Sequence, residues 1–339
     1  MTHFRSVSIL LSLMVACQPA PPPARDPQAR PPMGGEDVKD HTMPLNAAEP
    51  PWRDLIRHTE IPLPGKAMHP GPSPDGTSFA YATTEFGPKL QIAWRETFDA
   101  SPVQITANSG DNLFPRISPD GHRVAYASNR EGNWDIYVAR IDSPGSVTQV
   151  TFEPGDDLAP SWSPDGKKLV YSSRTEGGVW QIVIVDVGTR IKTFLGSGIF
   201  PDWSPDVKAP LITFQSLPRV AAGRSGVWCV KPDGTGLREV VGDKAQSWSA
   251  INPHFSPDGR WIAYATVNKS VESRNFGVPQ EADDIWVVRA DGTYPMRLTD
   301  DLSAEWWPAW GGDRVFFVSN RNHMQNICSV RVKPLEDSK

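Results

Sequence analysis

The chain of 339 residues has three cysteines, Cys17, Cys229 and Cys328, which excludes a scaffold stapled by several disulfides. It has no run of lysine and arginine, and its net charge of -5 excludes the clustered basic surface that nucleic-acid binding needs. No apolar segment is long enough to cross a bilayer as a mature helix; the longest, residues 7–16 (VSILLSLMVA), falls short. A nucleophile elbow of the G-x-S-x-G type is also missing. The nearest string, Gly223-Arg224-Ser225-Gly226, has Val227 where the last glycine belongs and runs into a strand pattern rather than a helix.

Against these absences stand 34 prolines and 13 tryptophans, many of them spent at set offsets in a repeat. The tetrapeptide Ser-Pro-Asp-Gly occurs at Ser73, Ser118, Ser163 and Ser256, the first three copies 45 residues apart, each with a proline three residues upstream (Pro70, Pro115, Pro160, Pro253). Two decayed copies follow the same register, Pro201-Asp202-Trp203-Ser204-Pro205-Asp206 and Pro308-Ala309-Trp310-Gly311-Gly312-Asp313. The chain therefore contains six units of one repeat, and a period of this length marks a repeat array.

Each unit carries four short strand signals. In the second, a strand enters the Ser118-Pro119-Asp120-Gly121 turn, where proline presets φ and glycine suits the fourth turn position. Val124-Ala125-Tyr126-Ala127, Asp135-Ile136-Tyr137-Val138 and Val147-Thr148-Gln149-Val150-Thr151 supply the other three. Four antiparallel strands in about 45 residues make one propeller blade, so the predicted fold is all-β, a six-bladed β-propeller. The last unit runs out after its third strand. The segment around His58-Thr59-Glu60-Ile61-Pro62-Leu63 stands where a fourth strand should, and is expected to close the ring. The aromatics two residues after the prolines (Trp162, Trp203, Phe255, Trp310) recur in most units and read as packing between blades.

The N-terminus is of another kind. His3 and Arg5 precede the apolar stretch, which predicts a signal peptide over residues 1–16 and export. Met14-Val15-Ala16-Cys17 resembles the lipobox of bacterial lipoproteins, which implies a lipid on Cys17 and anchoring to a membrane; Gln18 beside it implies the outer membrane. Ten prolines between Gln18 and Pro51, with few large apolar residues, describe a semi-extended spacer, so residues 17–57 form a tether ahead of a folded body at 58–335.

The stretches P-x-W-S-P-D-G, V-A-Y-x-S-N-R, G-N-x-D-I-Y-V and Q-V-T, best preserved over residues 115–151, resemble the TolB-type propeller repeats. The resemblance covers residues 58–335; the α/β domain that precedes the propeller in TolB has its place taken here by the proline-rich segment. It implies a TolB-like lipoprotein rather than TolB itself, non-enzymatic, without cofactor, a monomer with its propeller in the periplasm. The implied partners are envelope proteins, peptidoglycan-associated ones among them. Related propellers also cap serine hydrolases and form pectate-fragment lyases. The hydrolase reading lacks its elbow and its domain. A lyase, or another carbohydrate-binding or metal-dependent glycan-cleaving propeller, is the alternative. For that reading His69, His254 and His323 are the candidate ligands, although they do not recur in register. The acid pairs Asp156-Asp157, Asp283-Asp284 and Asp300-Asp301 lack an alternating calcium loop and read as caps and turns. Cys229 and Cys328 fall in blades that are not neighbours, which predicts two buried free thiols.

In such a blade the Ser-Pro-Asp-Gly turns lie on one face. The loops joining strands two and three, and those joining blades, lie on the other, where function in scaffold proteins tends to reside. The fifth unit has an insertion over 267–284 that carries Lys269, Arg274 and Phe276, and the fourth an irregularity over 217–225 with Arg219 and Arg224. Arg116, Asp202 and His254 share one offset beside the prolines and are expected at the channel rim. These eight residues form the expected partner-binding face.

Overall fold

The computed structural model describes residues 54–62, 64–98, 101–217, 224–242, 248–268, 282–300, 303–321 and 325–332. They form six four-stranded antiparallel sheets. Strand β1 (Ile56–Arg57) comes first and belongs to the last blade. Blade one is β2 (Ala67–Pro72), β3 (Ser78–Thr83), β4 (Gln91–Glu96) and β5 (Val103–Gln104). Blade two is β6 (Asn112–Ile117), β7 (Arg123–Ser128), β8 (Asp135–Arg140) and β9 (Val147–Gln149), and blade three is β10 (Asp157–Trp162), β11 (Lys168–Arg174), β12 (Trp180–Asp186) and β13 (Lys192–Ser197). Blade four follows with β14 (Ile199–Trp203), β15 (Ile212–Gln215), β16 (Val227–Val230) and β17 (Arg238–Val241). Blade five is β18 (Trp248–Phe255), β19 (Trp261–Asn268), β20 (Ala282–Arg289) and β21 (Met296–Arg297), and blade six is β22 (Glu305–Gly311), β23 (Arg314–Ser319), β24 (Asn326–Arg331) and β1.

The predicted ring closure is present and begins two residues earlier than expected. Ile56 pairs with Ser329 and Arg57 with Cys328, and the His58 amide donates to the Ile327 carbonyl at 2.8 Å. A buried threonine explains both the closure and the Q-V-T motif. In blades one, two and five the hydroxyls of Thr106, Thr151 and Thr299 accept the amides of Ile92, Ile136 and Ile285 at 2.8–2.9 Å, just beyond the last ladder pair of the fourth strand. Thr59 does the same for Ile327 at 2.9 Å. The N-terminal segment thus engages blade six with the side chain that the other blades use, which leaves the ring without an open edge there.

The Ser-Pro-Asp-Gly turns are self-contained. In blade one the Ser73 hydroxyl donates to Asp75 Oδ1 at 2.6 Å and accepts the Ser78 amide, the Gly76 amide returns to the Ser73 carbonyl, and Gly76 has φ of 73°. The left-handed conformation at the fourth position is why glycine stands there. Blade four keeps the serine, with the Leu211 amide on Ser204 Oγ, and spans a longer turn without glycine. Every turn position has a structural task, so the motif marks the hairpins.

The aromatics after the prolines pack between blades as expected. Trp162 is buried, its indole N–H donates to the Arg116 carbonyl of blade two at 3.0 Å, and the Arg123 guanidinium lies 4.6 Å over its ring. Cys229 and Cys328 are buried in β16 and β24, neither in a disulfide, and burial pushes the Cys229 thiol up to about 11.

Candidate functional site

The innermost strand of every blade carries a bulge at the residue before the proline and the proline itself, where the ladder register shifts. Proline lacks an amide, so the bulge leaves no orphan donor there. The preceding residues, His69, Phe114, Ala159, Phe200, Asn252 and Trp307, all have φ between 51° and 54°. This left-handed region costs a non-glycine residue about 1–2 kcal/mol, and its recurrence in all six blades makes it part of the architecture. It also turns these side chains onto the propeller axis. The His69 ring centroid is 3.9 Å from that of Phe114 and 3.8 Å from that of Trp307, while Phe114 lies 5.7 Å from Phe200. Contacts between blades that are not neighbours can be made only at the centre. Aromatic rings therefore fill the channel at this level.

Two residues further along the strand lies a second layer, Gly71, Arg116, Ser161, Asp202, His254 and Ala309, one residue per blade. Here the sequence expectation needs correction. Arg116, Asp202 and His254 do share an offset, but they lie inside the channel rather than at its loop-side rim. The inner strand starts at the inter-blade loop and runs toward the Ser-Pro-Asp-Gly turn, and Arg116 stands two residues before Ser118. Asp202 is buried and the His254 side chain is 12% exposed.

The layer joins blades. The Ser161 hydroxyl donates to Asp202 Oδ1 at 2.8 Å and accepts the Trp203 amide at 3.1 Å. Asp202 Oδ2 accepts the Phe255 amide at 2.8 Å, and His254 Nδ1 accepts the Trp310 amide at 3.1 Å. In each case a polar side chain of one blade receives an inner-edge amide of the next. His254 Nδ1 also lies 2.9 Å from the Phe255 carbonyl, which can only accept, so the tautomer that protonates Nδ1 bonds there and the other takes the Trp310 amide; Nε2 is 3.6 Å from Asp202 Oδ1. Burial lowers the His254 pKa and Asp202 opposes the shift. Arg116 donates to the carbonyls of Pro70 and Pro115 at 3.2 and 3.1 Å. Gly71 is required beside it, since a Cβ there would meet the Pro115 oxygen at 2.1 Å.

Serine, aspartate and histidine are thus adjacent, but the carboxylate sits between the other two. The serine proton goes to Asp202, whereas nucleophilic catalysis needs serine on histidine. Of the histidines weighed as metal ligands, His69 is fully buried between Phe114 and Trp307, held well below its usual pKa by burial, and lies in the other layer from His254. Among the described residues no three His, Cys, Asp or Glu side chains converge as a metal-ligand set. Two clefts of about 230 and 240 Å³ border blade six on the turn face, below the size of a typical ligand pocket.

On the loop face blade five is raised. Its strands β18, β19 and β20 are 8 residues each, and the extra pairs Trp248 with Asn268 and Val267 with Ala282 carry the sheet beyond the neighbouring blades. Trp248 stacks on Tyr264 and Trp286 at 6.5 and 6.4 Å. Arg224 is half-buried just ahead of β16. Arg219, Lys269, Arg274, Phe276, His323 and Cys17 lie outside the described residues. Of the axial ring the sequence pointed to His69 alone, as a candidate metal ligand, and Ser161 was missed; the residue before each repeat proline was the available signal.

Comparison with known proteins fits this geometry. Residues 62–215 match the model of the TolB β-propeller domain. The chain is 28% identical over 137 residues to the Tol-Pal system protein TolB of Anaeromyxobacter dehalogenans, covering 39% of this chain and 27% of that one. It therefore spans about a quarter of the length of that relative. Among solved structures, the putative TolB from Agrobacterium tumefaciens superposes with a TM-score of 0.62 at 22% identity, over 83% of this chain and 98% of that one. An oligogalacturonate lyase from Vibrio parahaemolyticus gives 0.56 at 16% identity, over 82% and 93%. These structural likenesses concern the fold. Six blades of the predicted pattern, closed by the N-terminal strand, make the folded body of this chain a six-bladed β-propeller that matches the TolB β-propeller domain over residues 62–215.

Proposed function

We propose that the chain is a cell-envelope propeller, tethered to the outer membrane through lipid on Cys17, whose loop face binds a protein partner without catalysis. The observation that carries the reading is the filling of the channel. His69, Phe114, Phe200 and Trp307 occupy the axis where a propeller enzyme would admit substrate, and Asp202 and His254 are committed to joining blades. The raised end of blade five, with Trp248 at its edge, adds a wall on the opposite side from the repeat turns. The TolB relative belongs by name to a Tol-Pal system, which supports an envelope partner, a peptidoglycan-associated one included.

Two measurements test the parts separately. Photo-cross-linkers at Lys269, Arg274 and Phe276 in living cells are expected to trap one recurrent envelope protein, identified by mass spectrometry; recovery of only abundant, unrelated envelope proteins counts against the loop face. For the tether, Cys17→Ser is expected to move the protein from the membrane fraction to the soluble fraction. An unchanged membrane fraction would remove the lipid from the proposal.

A further inference from the structure

The junction between blades two and three, on the loop face, holds two buried carboxylates. Asp135 opens β8, is 2% exposed, and accepts the Thr151 hydroxyl on Oδ1 at 3.0 Å and the Gln149 amide on Oδ2 at 3.2 Å. Asp157 opens β10, is fully buried, and neither of its oxygens has a partner in hydrogen-bond geometry. The hydroxyls of Ser173 and Thr151 act on it, but burial dominates and pushes Asp157 up to about 7, with the Asp135 charge adding to the rise. Burial likewise raises Asp135 to about 6. A carboxylate out of contact with water and without a counter-charge is costly.

Equivalent positions in other blades show what is missing. At the junction of blades one and two the pair is Gln91 and Asn112, neutral and hydrogen-bonded at 3.1 Å. At the junction of blades five and six it is again acidic, Asp284 and Glu305, and each acid has its arginine. Arg297 Nη2 donates to Asp284 Oδ2 and Arg321 Nη2 to Glu305 Oε1, both at 2.7 Å. The repeat register fixes the counterparts of those arginines beside Asp135 and Asp157. Arg297, whose Nε donates to the Thr299 carbonyl, is replaced by Gln149, whose amide donates to the Thr151 carbonyl. Arg321, two residues after Ser319, is replaced by Thr175, two residues after Ser173. Arg174, one residue earlier, turns instead to Asp156 at 3.8 Å. Lys192, which also lies near, is paired with Glu153 at the exposed edge of the junction. With all four ionised, Asp135, Asp157, Glu153 and Lys192 together carry two net negative charges.

We propose that Asp135 and Asp157 hold a hard divalent cation of the calcium class between blades two and three, doing there what Arg297 and Arg321 do between blades five and six. The free oxygens of Asp157, an oxygen of Asp135 and the hydroxyls of Thr151 and Ser173 are hard donors, and water completes the set. Two carboxylates with hydroxyls suit calcium rather than zinc, which takes nitrogen and sulfur ligands. Asp157 thereby has a role beyond the turn or cap that its neighbour Asp156 suggested, since Asp156 caps the Trp134 amide at 3.3 Å. Trp134 and Tyr171 are buried around the site and can pass excitation to a bound lanthanide.

The test uses the full chain, freed of metal by chelation, and Tb³⁺ as probe. Sensitised terbium emission is expected, displaced by Ca²⁺ with a dissociation constant of order 10⁻⁴–10⁻³ M, the range of weak extracellular sites. D157N is expected to weaken Ca²⁺ at least about tenfold, and D284N to leave it unchanged. If D157N does not fold, Q149R supplies the reading, because it installs the charge that blade five uses; it is expected to fold and to lose binding. The proposal is overturned if no emission develops and about 10 mM Ca²⁺, above that range, leaves the melting temperature unmoved. It is equally overturned if D157N or Q149R binds as tightly as the wild type. The first outcome would mean that the pair keeps a proton instead.

Discussion

Replacing Asp202 by alanine is expected to cost about 3–5 kcal/mol of stability, as breaking a buried charged network does. Asp202 is the middle of the inner layer: it takes the Ser161 hydroxyl from blade three and the Phe255 amide from blade five, and its Oδ1 faces His254 Nε2. Alanine leaves a buried hydroxyl and a buried inner-edge amide without acceptors, and removes the negative charge that sits between Arg116 and His254. Urea unfolding reads the loss. D202N keeps an oxygen for one of the two donors and should recover part of it, while Ser161→Ala, which strands the Trp203 amide and takes one donor from Asp202, should cost about 1–3 kcal/mol. A D202A protein within about 1 kcal/mol of wild type would mean that the layer does not hold blades three, four and five together.

Acidification is expected to weaken the ring closure through His58. Its ring is buried, with Nε2 2.8 Å from Ser329 Oγ and Nδ1 3.1 Å from the Thr97 carbonyl, and burial lowers its pKa to about 4. Arg314 and Arg95 reinforce the shift. The folded pKa lies below the unfolded value of 6.5, so between these values the unfolded chain binds the proton and the folded one does not. Stability from His58 is therefore present above pH 6.5 and lost as pH falls toward 4, by about 3 kcal/mol at 1.36 kcal/mol per pKa unit. Asp135 and Asp157 act in the opposite sense, because their raised pKa values relieve a penalty on acidification. The comparison must therefore be with H58Q, in which the carboxylate contributions cancel. The stability difference between wild type and H58Q is expected to shrink by about 3 kcal/mol from neutral pH to about pH 4. Parallel curves would sink the assignment. The same burial argument applies in direction to His69 and His254, which are held neutral at the axis.

The fold was legible because the repeat writes each structural task into a residue that can do little else. Proline at the bulge, serine and aspartate at the turn, glycine at φ near 70° and threonine after the fourth strand each answer a backbone requirement. Even the closing segment was visible, through its distance ahead of Pro70, although the first ladder pair lies at Ile56 and the role of Thr59 came from the structure. The inner layer was half legible. Arg116, Asp202 and His254 announce themselves by a shared offset, but strand direction decides that they point into the channel on the turn side rather than onto the loop-side rim. Asp157 was weighed only with its neighbour Asp156 and read as a cap or turn, and its pairing with Asp135 was not legible, because the two are 22 residues apart and meet only when blade three packs against blade two.

The period of the repeat alone determined six blades, their strand count, the face that carries the turns and the separation of Cys229 from Cys328, since each follows from local backbone chemistry repeated at a fixed interval. What only the tertiary structure decided is what happens between blades. Residues from different repeats are brought to one axis or one junction by the closure of the ring, and no spacing in the sequence encodes those distances. That is why the filled channel, the amide-accepting layer of Ser161, Asp202 and His254, and the uncompensated carboxylates of Asp135 and Asp157 emerge from packing and not from the motifs.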